Sequence, residues 1–280
     1  MTSRTHKRML VTGATAGIGL ETARQLAELG HEVWVHGRSE SSARGAVMAI
    51  EAAQPHGQLH PAWADLSSLA ETRGLAARMA DLELDVVIHN AGVFMKQPVL
   101  TTDGWETTWA VNHLAPFLLT TLLLDGLLAR PQARVITVSS VGHRHGRIHF
   151  RDPGLAGRYE GIEAYCQSKL ANLLFTQELA RRTAGSSLLA TSLHPGMVQT
   201  KLLGQTGFGS PAADAPALGA RTSVYLATAP ASETPTGAYF VDSRQVAPST
   251  RDEELARRLW ALSAEQVAER PLVTERRLDA

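Results

Sequence analysis

Apolar and polar positions follow two alternating rhythms along this chain. Short runs of aliphatic and β-branched residues recur at 8–12 (RMLVT), 31–38 (HEVWVHGR), 59–66 (LHPAWADL), 85–92 (DVVIHNAG), 133–140 (ARVITVSS), 188–196 (LLATSLHPG) and 236–242 (TGAYFVD). Their length and composition predict strands, about seven in all. The stretches between them at 20–30, 41–54, 67–80, 101–129, 164–182 and 217–229 read as helices. A charged amphipathic helix over 251–269 begins a C-terminal helical tail, 251–280. Strands alternating with helices predict an α/β fold, a doubly wound parallel sheet with helices on both faces. There is no internal repeat, linker or low-complexity segment, so residues 1–280 read as a single domain.

Composition narrows the function classes. At 44% hydrophobic, the chain can bury a substantial core. Lys and Arg total 27, and so do Asp and Glu, which gives no pointer to nucleic acid or an anionic membrane as partner. The one cysteine, Cys166, forms no intrachain disulfide and suits a reducing cytoplasm. The N-terminus lacks the apolar core of a signal peptide. The longest apolar run, near 117–128, is interrupted by Thr120, Thr121, Asp125 and Gly126 and reads as too short and polar to span a bilayer. The expectation is a soluble cytoplasmic protein.

The strand ends carry the chemistry. Thr12-Gly13-Ala14-Thr15-Ala16-Gly17-Ile18-Gly19 lies between the first strand and the first helix. Glycines there let the backbone approach a pyrophosphate, and the helix N-terminus offers free N–H groups. NAD sites place a carboxylate at the end of the second strand. Here the residues are His36-Gly37-Arg38-Ser39, and Arg38 suits a 2′-phosphate, which favours NADP(H); an ordinary exposed arginine is the alternative. Asp65-Leu66 ends the third strand, where Asp65 either contacts adenine or caps the next helix. Asn90-Ala91-Gly92 ends the fourth, at the position where open parallel sheets bind ligands. Asn112 interrupts a long helix, and Ser139-Ser140 closes the fifth strand. His143, His145 and His149 follow in a polar insertion without neighbouring carboxylates or cysteines, and read as loop residues rather than metal ligands. Tyr165 and Lys169 stand four apart on a helix and therefore share a face, where the ammonium would lower the phenol's pKa. His194-Pro195-Gly196-Met197-Val198-Gln199-Thr200 ends the sixth strand, and the Gly-, Ala- and Pro-rich segment after it reads as a mobile loop.

Taken in order, TGATAGIG at 12–19, Asp65-Leu66, Asn90-Ala91-Gly92, Asn112, Ser139-Ser140, Tyr165-x-x-x-Lys169 and Pro195-Gly196 resemble the short-chain dehydrogenase/reductase family over nearly the whole chain. The segments VNHLAPFLLT, GRIHF, AYCQSKLANLLFTQELARR, HPGMVQT and TGAYFVD resemble its retinol-dehydrogenase-like branch, here without the N-terminal hydrophobic anchor of membrane-bound members. Thr137 stands where the family often has Asn. The resemblance implies a Rossmann-type sheet and an NADP(H)-dependent oxidoreductase acting on a carbonyl or alcohol of a mostly apolar small molecule. It makes Tyr165 the general acid/base, Lys169 its modulator and a ligand of the nicotinamide ribose, Ser140 the holder of the substrate oxygen, and Asn112 the residue that positions a relay water. It assigns Thr12, Gly13, Thr15, Gly17, Ile18, Gly19, Arg38, Asp65, Leu66, Asn90, Ala91, Gly92, Pro195, Gly196, Val198 and Thr200 to the cofactor. Phe94, Met95, His143 and Met197 are the candidates for the substrate pocket, together with the 201–216 loop. A nucleotide-binding regulator of the same fold, NAD-dependent alcohol oxidation and a nucleotide-sugar epimerase or dehydratase are the rival readings. Homo-oligomerisation, substrate identity, direction and stereochemistry are left open.

Overall fold

The computed structural model describes residues 6–206 and 213–268. Its centre is one sheet in the order β3-β2-β1-β4-β5-β6-β7-β8. The strands are β1 (Arg8–Val11), β2 (Glu32–Gly37), β3 (Leu59–Trp63), β4 (Val86–His89), β5 (Arg134–Val138), β6 (Leu189–His194), β7 (Tyr239–Val241) and β8 (Arg244–Val246). All pairings are parallel except β7 with β8. The strand order reverses beside β1, which has β2 on one side and β4 on the other, and that is where doubly wound sheets open a crevice for ligands.

Period-2 alternation sends neighbouring residues to opposite faces of the sheet. Leu10, Val87 and Val135 enter one core with Leu75, Leu118, Leu173 and Leu259 from the helices Leu69–Ala80, Thr107–Leu128, Gly161–Arg182 and Glu253–Val267. Met9, Val11, Ile88 and Ile136 enter the other with Leu26, Val47 and Leu226, from the helices Gly17–Glu28, Glu40–Glu51 and Pro216–Thr228. Each such aliphatic side chain contributes about 1.5–3 kcal/mol when fully buried.

Three features differ from the sequence expectation. The sheet has eight strands rather than about seven, because Arg244–Val246 folds back on β7 through Asp242-Ser243. Both turn residues take positive φ, 48° and 58°, as a two-residue hairpin turn of the primed type requires. The stretch expected to be helical over 101–129 begins its helix only at Thr107, where Glu106 caps the N–H groups of Thr108 and Trp109 at 2.8 Å each. This helix, Thr107–Leu128, reaches 22 residues, long and apolar enough to cross a membrane by length and composition, contrary to the expectation. Its most apolar stretch is nevertheless 67% buried inside the fold. Finally, Lys201–Thr206 is helical where a loop over 201–216 was expected; residues 207–212 of that expectation lie outside the described residues.

Candidate active site

The C-terminal ends of β1, β4, β5 and β6 converge on one crevice. At the first of them, Thr12 and Asn90 are spent on each other's backbone. Thr12 Oγ1 donates to Ile88 O (3.2 Å) and accepts from the N–H groups of Asn90 (3.0 Å) and Ala91 (3.1 Å). Asn90 Nδ2 donates to the carbonyls of Thr12 (2.9 Å) and Gly13 (3.1 Å). Both residues therefore shape the glycine loop from behind. The approach is so close that a Cβ on Gly19 would sit 2.3 Å from Asn90 Nδ2 and from Gly13 O. Gly19→Ala is expected to cost about 1–3 kcal/mol of stability, as overpacking does. Gly45→Ala, at an exposed helix position with nothing within 4 Å, should gain roughly 0.5–1 kcal/mol. Thermal denaturation of the two variants checks the contrast.

The helix Gly17–Glu28 starts without a side-chain cap on its N-cap residue, Ala16, and without an acidic residue in its first turn. Ser39, Ser68 and Asp252 cap the helices that follow them, whereas Gly161–Arg182 and Pro216–Thr228 also start without a side-chain cap, but not behind a glycine loop. The N–H groups and positive dipole end beneath the glycine loop are thus left for an anion, which fits the pyrophosphate of a dinucleotide. Gly17 holds φ 56°, and a Cβ there would touch the Thr200 methyl at 3.4 Å. A Cβ on Gly219 would meet Val198 at 2.6 Å and Ile18 at 3.1 Å. The Pro195–Thr200 arm after β6, with Gly196 at φ 89°, thereby lies beside the glycine loop.

Past the end of β2, Arg38 is exposed, and among the described residues no ion pair or hydrogen bond engages it. Just inside it, His36 is 2% exposed and accepts from Gly13 N at 3.1 Å. Burial holds its imidazole down at about 4, so at neutral pH it is an uncharged acceptor that fixes the loop. Thr15 packs over this strand end; a Cβ on Gly37 would be 2.7 Å from its methyl. Of the two readings of Asp65, the structure supplies a turn: Oδ1 accepts from Ser67 N (2.9 Å) and Ser67 Oγ (2.7 Å), while Leu66 is buried and Ser68 is the cap.

The two serines diverge as strand geometry demands. Ser139 is buried and donates to Lys169 O at 2.7 Å, which seats the tyrosine helix on β5. Ser140 turns to the crevice, accepts from Gly142 N at 3.2 Å and lies beside Tyr165, whose phenolate it favours. Asn112 lies in a π-helical turn, Ala110–Leu114. Its Oδ1 accepts from Val93 N (2.7 Å), and its Nδ2 donates to Val93 O (3.0 Å) and Ser168 Oγ (3.0 Å). It is fully buried, and its side chain joins the loop after β4 to the tyrosine helix. A Cβ on Gly92 would stand 3.5 Å from Lys169 Nζ and 3.6 Å from Asn112 Oδ1, so all three meet.

Tyr165 differs from expectation in its protonation. Burial pushes the phenol up to about 12, and the neighbouring Ser140 hydroxyl only partly opposes this. Lys169 is 3% exposed and held down at about 8 by burial. Its ammonium donates to Val138 O at 3.0 Å and lies 5.5 Å from the Tyr165 ring centre. Burial of the phenol, rather than the nearby cation, sets the direction of its shift.

Of the substrate candidates, Phe94 meets the Tyr165 ring edge-on, with centres 6.1 Å apart, and Met197 is 46% exposed at the mouth. Met95 contributes its carbonyl, which accepts from Tyr159 OH at 3.0 Å. His143 does not line a pocket. It is 1% exposed, packs edge-on against Tyr239, and its ring nitrogens face Ser140 O (2.6 Å) and Ser249 N (3.4 Å). Sequence reading missed His36, Glu106, Tyr159 and Asn172, whose roles arise from contacts across 23 to 64 residues of chain and leave no local pattern. Cys166 is buried beside Gly142, with its thiol pushed up by burial.

Residues 7–207 match the model of the short chain dehydrogenase family, and the chain belongs to that family of oxidoreductases. Within it, the chain falls in the retinol-dehydrogenase-like branch. It is 40% identical to human retinol dehydrogenase 13, over 97% of this chain and 88% of that protein. It is 39% identical to human retinol dehydrogenase 12, over 92% and 85%. Among solved structures, an uncharacterized protein from Mycobacterium Paratuberculosis superposes with a TM-score of 0.79 at 35% identity, covering 95% of each chain.

Proposed function

We propose that this enzyme uses NADP(H) and interconverts a carbonyl and an alcohol on a mostly apolar small molecule, with Tyr165 as general acid/base. The observation that carries the reading is the grouping of Ser140, Tyr165 and Lys169 at one crevice beside the uncapped helix start. The names of the human relatives, retinol dehydrogenases 12 and 13, support an apolar alcohol or aldehyde as the substrate class.

NADP(H), when bound, supplies or takes up the hydride. The glycine loop and the N-terminus of Gly17–Glu28 would hold its phosphates, and Arg38 its 2′-phosphate. Ser140 Oγ would donate to the substrate oxygen and stabilise the negative charge that builds there. Tyr165 would give its proton to that oxygen in reduction and remove it in oxidation. With its pKa pushed up by burial, Tyr165 holds its proton at neutral pH, and work as an acid/base requires that pKa to come down. Lys169 would move from Val138 O toward the ribose and the phenol, where its charge eases departure of the proton. Phe94 and Met197 would supply apolar walls. With Cys166 buried and unpaired, a reducing cytoplasm suits the protein.

Titration of NADPH and NADH into wild type and Arg38→Ala tests the cofactor assignment. Tighter binding of NADPH, falling by about tenfold toward the NADH value in the variant, is expected from loss of a charge-assisted phosphate contact. Equal affinities, or no response to Arg38→Ala, would overturn it.

A further inference from the structure

Lys169 is a buried cation with no carboxylate beside it among the described residues; what its ammonium holds is the Val138 carbonyl, at 3.0 Å. That carbonyl has a second donor. Asn172, three residues on along the same helix and 2% exposed, donates to it through Nδ2 at 3.3 Å. A carbonyl oxygen has two lone pairs, and both are taken.

His113, fully enclosed in Thr107–Leu128, lies beside the Asn172 side chain without a hydrogen bond to it; Asn172 Oδ1 and His113 Nδ1 both lack a partner among the described residues. The other His113 nitrogen, Nε2, meets Ser263 Oγ at 2.7 Å, on the C-terminal helix Glu253–Val267. Burial holds the imidazole at about 3, so it stays neutral and acts by position rather than by charge. One turn away, Trp109 Nε1 donates to Gln266 Oε1 at 2.9 Å, a second tie between the same two helices. The C-terminal helix is thus tied to the helix whose His113 packs beside Asn172.

We propose that Asn172 is a positioning residue for Lys169, keeping the Val138 carbonyl hydrogen-bonded when the ammonium leaves it for a bound nucleotide. The inference rests on the nicotinamide-nucleotide reading above. A buried carbonyl left without a donor is costly, whereas exchange between two donors on one acceptor is not. With Asn172 in place, Lys169 gives up Val138 O without orphaning it. Without Asn172, every departure of the ammonium strands that oxygen, and nucleotide binding bears the cost.

A double-mutant cycle read as NADPH dissociation constants tests this. The proteins are wild type, Asn172→Leu, Lys169→Met and the double variant. Asn172→Leu is expected to weaken NADPH binding by about fivefold to tenfold, the scale set by one unpaired buried carbonyl. In the Lys169→Met background, where no ammonium moves, the same change should alter binding by less than about twofold. Asn172→Ala, which removes the same donor with a smaller side chain, should give a loss of similar size that also vanishes in the Lys169→Met background. It carries the comparison if Asn172→Leu does not fold. Equal losses in both backgrounds, or no loss in either, would reduce Asn172 to a packing residue and overturn the proposal. Failure of the wild type to bind NADPH or NADH would instead overturn the parent reading and this one with it.

Discussion

Tyr165→Phe is expected to lower turnover by about 10²–10⁴-fold, the usual worth of a positioned proton donor. NADPH affinity should stay within about twofold of wild type. The substitution removes one oxygen and keeps the ring, so the edge-on contact with Phe94 and the packing beside Gly142 survive. What disappears is the phenol that lies beside Ser140 and that burial keeps protonated near neutrality. Steady-state turnover and nucleotide titration on the same preparation separate the two effects. Turnover at the wild-type level would remove Tyr165 from the chemistry, and a parallel collapse of nucleotide binding would make its role structural.

The second large effect has opposite signs for stability and activity. Lys169→Met should abolish turnover yet raise thermal stability near pH 7. The lysine's pKa falls from the ordinary 10.5 to about 8 on folding, because the fold disfavours its charged form. The unfolded chain therefore binds the proton more tightly. The penalty is absent above about pH 10.5, grows as pH falls toward 8, and is complete below that. At about 1.4 kcal/mol per unit this amounts to roughly 3 kcal/mol, less what the lost bond to Val138 O contributes. Thermal midpoints of both proteins at pH 7 and pH 10 check the sign: the variant's advantage should shrink at the higher pH. A variant less stable than wild type at pH 7 would show that the ammonium is accommodated more favourably than its burial implies. Such a residue, unfavourable for folding and needed for chemistry, is what a trade-off between stability and activity predicts.

The parallel sheet was legible because β1, β4 and β5 are short apolar runs bounded by polar or glycine-rich strand ends, a local signal. The glycine loop, the two serines and the Tyr165–Lys169 pair were legible for the same reason, since their spacing is carried within a few residues. Legibility stopped where a role depends on a distant partner. Asn90 looks like a ligand-facing residue at a strand end, but its amide is consumed by the carbonyls of Thr12 and Gly13, just after β1 and some 78 and 77 residues earlier. His143 sits in a polar stretch that reads as a pocket wall, yet the ring is closed off by Tyr239 and by Ser249, which lies 106 residues further on. β8 was missed because Arg244 and Gln245 are exposed and polar, and its strand character comes from pairing with β7 alone. The direction of the Tyr165 shift differs from the expectation because burial of the phenol, which a local sequence pattern does not report, is its largest cause.

The most direct test of the central claim is isotope transfer. Wild-type protein is incubated with nicotinamide-deuterated NADPH and a panel of apolar aldehydes and ketones, and the alcohols formed are analysed by mass spectrometry. The account predicts deuterium on the carbinol carbon of at least one product, with the signal lost in Tyr165→Phe. NADPH that binds tightly while every carbonyl returns unreduced and unlabelled would contradict it, leaving a nucleotide-binding protein whose Ser140, Tyr165 and Lys169 do not perform this reaction.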